Sequence, residues 1–192
     1  MRADFDYLAR IWIEPFDSAR HDRNDFSCGI ARLDNFFKIT ASKYVKEDNG
    51  KIYVAVEEVS SRVVGFHAIN PHGIDVSEFD EKTRKRFLAG RDHVSAFYLS
   101  MFAGDLSAKG KGLGSFLLAD VFNRCVAAAD IAGGRFIVLD ALDENAALLY
   151  ASMGFEALPG QSRRMVISMA KVRKSAQAAL GAFPDTEVTP GS

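Results

Sequence analysis

The chain has few cysteines, no long apolar run and almost no net charge, and each shortage excludes a class of protein. Two cysteines among 192 residues require no disulfide framework, which favours a reducing cytoplasm. The longest uncharged apolar stretch, Val94 to Gly104, is too short to span a bilayer, so we expect a buried strand and no membrane segment. The first ten residues carry four charges and do not look like a secretory signal. Lys plus Arg (24) balance Asp plus Glu (25), so nucleic-acid binding would need a local basic patch.

The order of apolar patterns predicts one α/β domain over residues 1–170 and a partly disordered tail over 171–192. Disorder is expected beyond about Gly181, where prolines are frequent and apolar residues are few. The domain should contain a mixed sheet with helices on both faces. Predicted strands cover 8–16, 51–57, 62–69, 94–104, 136–140, 155–158 and 165–169. Predicted helices cover 30–47, 113–129 and 143–152, with a short one at 77–88 inside a polar segment, 71–92.

Three alternate glycines, Gly110, Gly112 and Gly114, lie between a predicted strand and an amphipathic helix. Such a turn leaves backbone N–H groups uncovered at a helix N-terminus, where the helix dipole also favours negative charge. The turn predicts a phosphate or pyrophosphate site, although a merely flexible turn would show the same glycines. A Walker A loop is excluded, because five residues separate Gly104 from Gly110 and no Ser or Thr follows Lys111. A dinucleotide Gly-x-Gly-x-x-Gly spacing is also absent.

A second segment, Asp143 to Phe155, follows after one helix and one strand. Together the two segments resemble the signature of the GCN5-related N-acetyltransferases. Lys109 to Gly114 is similar to that family's [Arg/Gln]-x-x-Gly-x-[Gly/Ala] loop, and Leu149 to Phe155 to its Leu-Tyr-x-x-x-Gly-Phe helix end. Two positions depart from the pattern: Lys109 replaces Arg or Gln, and Asp143 stands where the family often has Asn. We assign Asp143 no role from the sequence.

The resemblance covers about residues 10–170 and implies a single-domain fold whose mixed central sheet is splayed between two parallel strands. It implies that acetyl-CoA, the cosubstrate, lies between the diverging strands, with its pantetheine arm along one strand and its pyrophosphate on the loop amides. Tyr150 would be the catalytic proton donor to the departing thiolate, since a phenol has a pKa near 10. The implied cofactor-binding residues are Phe102, Ala103, Gly104, Lys109, Gly110, Lys111, Gly112, Leu113 and Gly114. No metal-binding residue is expected.

The sequence says less about the molecule that accepts the acetyl group than about acetyl-CoA, which donates it. No general base is evident, and an acceptor that needs little deprotonation is therefore favoured. At pH 7 a lysine side chain costs roughly 4–5 kcal/mol to neutralise, whereas an α-amine costs only about 1 kcal/mol. The chemistry thus favours an α-amine, weakly, because a carboxylate or a water chain could be hidden in the fold.

The N-terminal part is similar to the acetyltransferase toxins of toxin–antitoxin pairs, at residues 26–29, 33–37 and 63–68. That resemblance implies aminoacyl-tRNA as acceptor and a ribbon-helix-helix antitoxin as partner; a homodimer is left open. Alternatives are a housekeeping acetyltransferase of a small amine or protein N-terminus, and a non-catalytic acyl-CoA sensor. The basic residues available for tRNA, which are equally consistent with solvated faces, are Arg20, Arg23, Lys38, Lys43, Lys46, Lys82, Arg84, Lys85, Arg86 and Arg91.

Overall fold

Seven strands form one mixed sheet in the part of the chain that the computed structural model describes, residues 4–75, 81–88, 93–158 and 160–181. The strands are β1 (Ile11–Pro15), β2 (Lys51–Glu57), β3 (Val63–Asp75), β4 (His93–Gly104), β5 (Phe136–Asp140), β6 (Glu156–Leu158) and β7 (Gln161–Ser168). The helices are α1 (Phe5–Leu8), α2 (Ala31–Asn35), α3 (Ala41–Lys46), α4 (Glu81–Leu88), α5 (Leu113–Ala132), α6 (Glu144–Ser152) and α7 (Met169–Gly181). None of the described helices is long and apolar enough to cross a membrane.

The sheet order is β1-β2-β3-β4-β5-β7-β6, and every neighbouring pair is antiparallel except β4 with β5. The parallel pairing runs only from Ala96–Phe136 to Tyr98–Val138. Beyond these pairs β4 continues along β3 to Gly104, while β5 stays with β7. The sheet therefore opens into a gap between β4 and β5, as the resemblance implied.

Helices cover both faces of this sheet. On one face α5, α6 and α7 pack on an apolar cluster that includes Leu99, Ile137 and Ile167. On the other face the α2–α3 region packs on a cluster built around Phe37 and Phe66. The predicted helix over 30–47 is present as α2 and α3 joined by a π-helical segment, Phe36–Thr40. That segment lets two consecutive rings, Phe36 and Phe37, both stack on Phe66, at 6.2 and 4.3 Å.

Several predicted boundaries were wrong because pairing partners far along the chain decide them. The first strand starts at Ile11, since residues 5–8 form α1, whose N-cap Asp4 accepts the N–H of Tyr7. β3 runs through Pro71 to Asp75, where residues 71–75 were predicted to belong to a polar connection, because this extension pairs with the start of β4. β7 begins at Gln161 rather than Met165, since its polar first half pairs with β5 and β6.

Two further predictions fall partly outside the described residues. The short helix predicted over 77–88 appears as α4 from Glu81, and residues 76–80 lie outside the described part. The predicted domain boundary at residue 170 falls within α7, which continues to Gly181. The disorder predicted beyond about Gly181 concerns residues 182–192, which lie outside the described part.

Candidate active site

The connection from β4 to α5 is built on a buried carboxylate. Asp105, only 4% exposed, accepts the backbone N–H groups of Ser27 and Ser107 at 2.9 Å and pairs with Arg62 at 3.0 Å. Burial alone would raise the pKa of Asp105, but these hydrogen bonds and the charge of Arg62 hold it below its ordinary value. The fixed carboxylate caps a short 3-10 turn, Leu106–Ala108, which leads the chain into the glycines.

The glycine turn is open on its outer side. Gly110 and Gly112 have φ values of +83° and +88°, a left-handed conformation that favours glycine, and Gly112 directly precedes α5. A Cβ added to Gly110 or Gly114 would meet nothing within 4 Å. No side chain caps the start of α5. Side chains of the described residues therefore do not plug the turn.

Backbone amides of this turn are left without partners. The N–H groups of Lys109 and Lys111 bond back to the 3-10 turn, both at 3.2 Å. Over the described ranges, the amides of Gly110, Gly112 and Gly114 donate to no protein acceptor. Unpaired N–H groups at an uncapped helix N-terminus have the arrangement that binding an anion such as a pyrophosphate requires.

The side chains of Lys111 and Leu113 pack against other parts of the structure. The ammonium of Lys111 lies 4.2 Å from the ring centre of Tyr7, so it is held against α1. Leu113, the first residue of α5, is buried and packs together with Leu117 against the sheet. Lys109 is exposed. Recognition of an anion at this turn therefore falls mainly to the backbone.

The three predicted pantetheine-contact residues lie on the open part of β4. Phe102, Ala103 and Gly104 pair with β3 on one side, and no described strand pairs with their other side. Just before them the register jumps, because Leu99 pairs with Ile69 but Met101 pairs with Ala68, which leaves Ser100 as a bulge. The structure thus provides a free strand edge facing the gap between β4 and β5.

Tyr150 lies on α6 beside the same gap. Its ring packs edge-on against Phe102 at 6.2 Å and Phe155 at 5.7 Å. Its hydroxyl bonds to no group among the described residues. Burial raises the pKa of Tyr150 to about 12. The phenol is protonated at neutral pH, as a proton donor must be, and the raised pKa makes it a weaker acid than an ordinary tyrosine.

Comparison with known proteins gives relatives along most of the chain, although no family model matches it. A probable toxin TacT of Sinorhizobium fredii is 40% identical over 168 residues, covering 84% of this chain and 92% of the relative. A tRNA-acetylating toxin of Mycobacterium tuberculosis is 31% identical over 160 residues, covering 83% and 91%. The chain belongs to the tRNA-acetylating toxin branch of the GCN5-related N-acetyltransferases.

Solved structures of this branch share the fold. A tyrosine-to-phenylalanine mutant of KacT superposes with a TM-score of 0.78 at 20% identity, covering 86% of this chain and 99% of the other. AtaT complexed with acetyl-methionyl-tRNAfMet gives a TM-score of 0.77 at 20% identity, again covering 86% and 99%. The predicted fold and family are confirmed, and the chain is an acetyl-CoA-dependent N-acetyltransferase by class.

Asp143, which the sequence left without a role, starts the helix that carries Tyr150. Its carboxylate accepts the N–H of Ala146 at 2.8 Å, as an N-cap of α6. The Asn that often stands here in the family also serves as a good N-cap, so the departure keeps the helix start intact.

The basic residues predicted for tRNA contact do not form one free patch. Arg20 pairs with Glu14 at 2.9 Å, and Lys85 pairs with Glu81 at 2.7 Å. Arg23 donates to the carbonyl of Lys38 at 3.1 Å and lies over the ring of Phe16, so its role is structural. Arg91 and the side chain of Arg86 lie outside the described part.

Sequence reasoning missed a group of polar residues at the base of the gap: Arg32, His72, Tyr98, Asp140 and Arg164. They come from five different elements, α2, β3, β4, β5 and β7, and only the sheet register brings four of them together. The one available signal was Asp140, a charge that ends an otherwise apolar strand.

Proposed function

We propose that the chain transfers the acetyl group of acetyl-CoA to the α-amine of an aminoacyl-tRNA and acts as the toxin of a toxin–antitoxin pair. The observation that carries the proposal is the open glycine turn together with Tyr150 at one gap in the sheet, in a chain 40% identical to a probable toxin TacT. A relative named as a tRNA-acetylating toxin and a neighbour solved with acetyl-methionyl-tRNAfMet support the choice of acceptor.

The turn and the open strand fit acetyl-CoA. The amides of Gly110, Gly112 and Gly114 have no protein partner among the described residues, as binding a pyrophosphate requires. The backbone of Lys109, Lys111 and Leu113 completes the same turn. The free edge of Phe102, Ala103 and Gly104 offers backbone groups for the amides of the pantetheine arm.

The transfer needs one proton donor and a neutral amine. The amine nitrogen forms a bond to the acetyl carbonyl carbon, the carbon–sulfur bond breaks, and its electron pair goes to sulfur. Tyr150 donates its phenolic proton to that sulfur, and solvent takes the proton that the amine loses and restores the phenol. Holding both reactants in the gap supplies much of the acceleration, up to about 7–11 kcal/mol in well-oriented cases.

An α-amine suits a site with this composition. With a pKa of about 12, Tyr150 keeps its proton at neutral pH and therefore does not serve as a base there. An α-amine with a pKa near 7.7–8.0 is partly neutral already and needs no strong base. A lysine acceptor would need a stronger base, and none contacts Tyr150 among the described residues.

The partners follow from the same proposal. AtaT has been solved bound to the C-terminus of the antitoxin AtaR. We propose a ribbon-helix-helix antitoxin for this chain, a cytoplasmic location where charged tRNA is available, and a homodimer. Co-expression with the neighbouring small open reading frame tests the antitoxin, and light scattering on the purified chain tests the dimer.

The decisive experiment incubates the purified chain with isotope-labelled acetyl-CoA and a panel of aminoacyl-tRNAs, then hydrolyses the ester and identifies the amino acid by mass spectrometry. We expect labelled N-acetyl amino acid from at least one tRNA. Tyr150→Phe should lower the rate about 10²- to 10⁴-fold. Tyr53→Phe, which removes a hydroxyl on β2 that makes no hydrogen bond among the described residues, should keep the rate.

The alternatives give different results in the same assay. A housekeeping acetyltransferase would label a small amine or peptide N-terminus and no aminoacyl-tRNA. A non-catalytic sensor would bind acetyl-CoA and label nothing. Induced expression adds a cellular test, since the wild-type chain should arrest growth and Tyr150→Phe should not.

A further inference from the structure

A phenol and a carboxylate meet where β4 and β5 separate. The hydroxyl of Tyr98 donates to Oδ2 of Asp140 at 2.8 Å, and Nη1 of Arg164 lies 3.5 Å from the same oxygen. Arg164 also donates to Nε2 of His72, whose ring lies 5.2 Å from that of Tyr98. Burial and the bond to Asp140 raise the pKa of Tyr98, and the charges of Arg164 and Arg32 lower it. Arg32 lies on α2, which packs against β4, the strand that carries Tyr98.

This group lies on the opposite face of the sheet from Tyr150. Tyr98 packs with the cluster that contains Val138, whereas Leu139 turns into the cluster under α5 and α6 that contains Tyr150. Tyr98 and Val138 are the last parallel pair, so Asp140 lies two residues into the diverging part of β5. The gap is therefore flanked by Tyr150 on the face that α5 and α6 cover and by Asp140 on the opposite face.

Asp140 retains an open oxygen in a fixed orientation. Tyr98 and Arg164 both act on Oδ2, which sets the rotation of the carboxylate. Oδ1 has no partner among the described residues, and the side chain is 43% exposed. A carboxylate oxygen held in this way accepts N–H donors from an amine, and charge strengthens the bond when the amine is an ammonium.

Arg32 provides the complementary charge on the same side of the gap. Its side chain is exposed and makes no hydrogen bond or ion pair within the described ranges. A free guanidinium on a helix that packs against β4, near an amine-binding carboxylate on β5, suits a substrate that carries an anion as well as its amine. A free amino group on a peptide or small molecule would satisfy Asp140 but leave Arg32 without a partner.

We infer that Asp140, oriented by Tyr98, binds the α-amine of the acceptor on the face opposite Tyr150, while Arg32 binds a phosphate at the acceptor end of the tRNA. This inference rests on the proposed function and adds the acceptor subsite to it. Asp140 binds and orients the amine so that its nitrogen faces the gap, and no proton transfer is assigned to it.

The test compares two ligands that differ only at the amine: an aminoacyl-tRNA and the same tRNA with its amino acid N-formylated. Affinities are measured with CoA in place of acetyl-CoA, so that no transfer occurs. The wild-type chain should bind the free-amine form roughly ten- to a hundredfold more tightly, as expected for a hydrogen bond to a charged group. Asp140→Asn should bring the ratio close to one. Arg32→Ala is the matched control, because it should weaken both ligands equally and leave the ratio unchanged.

Kinetics give a second readout of the same subsite. Asp140→Asn should raise KM for the aminoacyl-tRNA more than it lowers kcat and should leave the affinity for acetyl-CoA unchanged. Should Asp140→Asn fail to fold, Tyr98→Phe loosens the carboxylate and should reduce the ratio by a smaller factor. A wild-type ratio near one, or a ratio that survives both substitutions, would overturn the inference. Failure of the wild-type chain to acetylate any aminoacyl-tRNA would instead overturn the proposed function.

Discussion

The Nε2 of His67 lies 2.7 Å from the Oδ2 of Asp120, which joins the centre of β3 to the middle of α5. His67 is fully buried, and its other ring nitrogen has no partner in the described structure. Nε of Arg124 lies 2.6 Å from the same carboxylate oxygen, and its guanidinium covers the ring of Tyr53 at 3.5 Å. The helix that presents the glycine turn is thus fixed to the sheet by a charged network as well as by apolar packing.

This pair makes stability depend on pH. Burial lowers the pKa of His67 below 6.5, although the hydrogen bond to Asp120 opposes the shift. Below pH 6.5 the unfolded chain therefore binds a proton that the folded chain does not, so the free energy of unfolding should fall as pH drops from 7.5 to about 5.5. His72, whose pKa is also lowered by burial, acts in the same direction. Asp120 contributes only at lower pH, since its pKa is lowered from 3.8.

Urea unfolding at several pH values measures this dependence. His67→Gln should flatten it, because glutamine keeps a donor for Asp120 without titrating. His93→Gln, which changes an exposed histidine at the start of β4, should leave it unchanged. An equal pH dependence in His67→Gln and the wild-type chain would contradict the account.

Prediction from the sequence succeeded for structural features that a single continuous segment determines. The glycine turn is a continuous run, and its positive φ angles and bare helix start follow from the glycines at 110 and 112. The same holds for β5 and for the helix that carries Tyr150, because each is a continuous segment with its own start and stop signals.

The subsite that we propose for the acceptor could not be predicted from the sequence, because it depends on the pairing register of the strands. Tyr98 and Asp140 are 42 positions apart and meet only because β4 and β5 pair at three residues and then separate. The bulge at Ser100 and the extension of β3 past Pro71 arise from pairing between strands, which no single segment encodes. The His67–Asp120 pair was missed for the same reason.

Gly114→Ala should separate ligand binding from stability. A Cβ there meets nothing within 4 Å, and alanine is favoured over glycine in a helix, so stability should rise slightly, by at most about 1 kcal/mol. The methyl group would cover the amide that we propose for the pyrophosphate, and acetyl-CoA affinity should fall roughly tenfold or more. Isothermal titration and thermal unfolding measure the two effects.

Gly73→Ala is the matched control, since a Cβ there also meets open space but lies on β3, away from the turn. It should leave acetyl-CoA affinity unchanged. Unaltered affinity in Gly114→Ala would show that this amide does not contact the ligand.

Tyr150 should remain protonated well above neutral pH. With a pKa of about 12, it should contribute almost no tyrosinate absorbance up to about pH 10.5, so the wild-type chain and Tyr150→Phe should titrate alike in that range. The substitution should also change the free energy of unfolding by less than about 0.5 kcal/mol, because the hydroxyl has no described partner to lose. One extra tyrosinate in the wild-type chain near pH 10 would contradict the raised pKa.

Asp105 should matter to both the fold and the turn. Asp105→Asn keeps the shape but removes the charge that Arg62 and two backbone N–H groups share, and we expect a loss of about 2–4 kcal/mol in the free energy of unfolding. Asp48→Asn breaks the exposed 2.8 Å pair with Lys51 and should hardly change the stability, because solvent screens such a pair. Because Asp105 starts the turn that leads into Gly110, acetyl-CoA affinity should fall in the first variant alone. Equal losses of stability in both variants would mean that burial does not strengthen the Asp105 network.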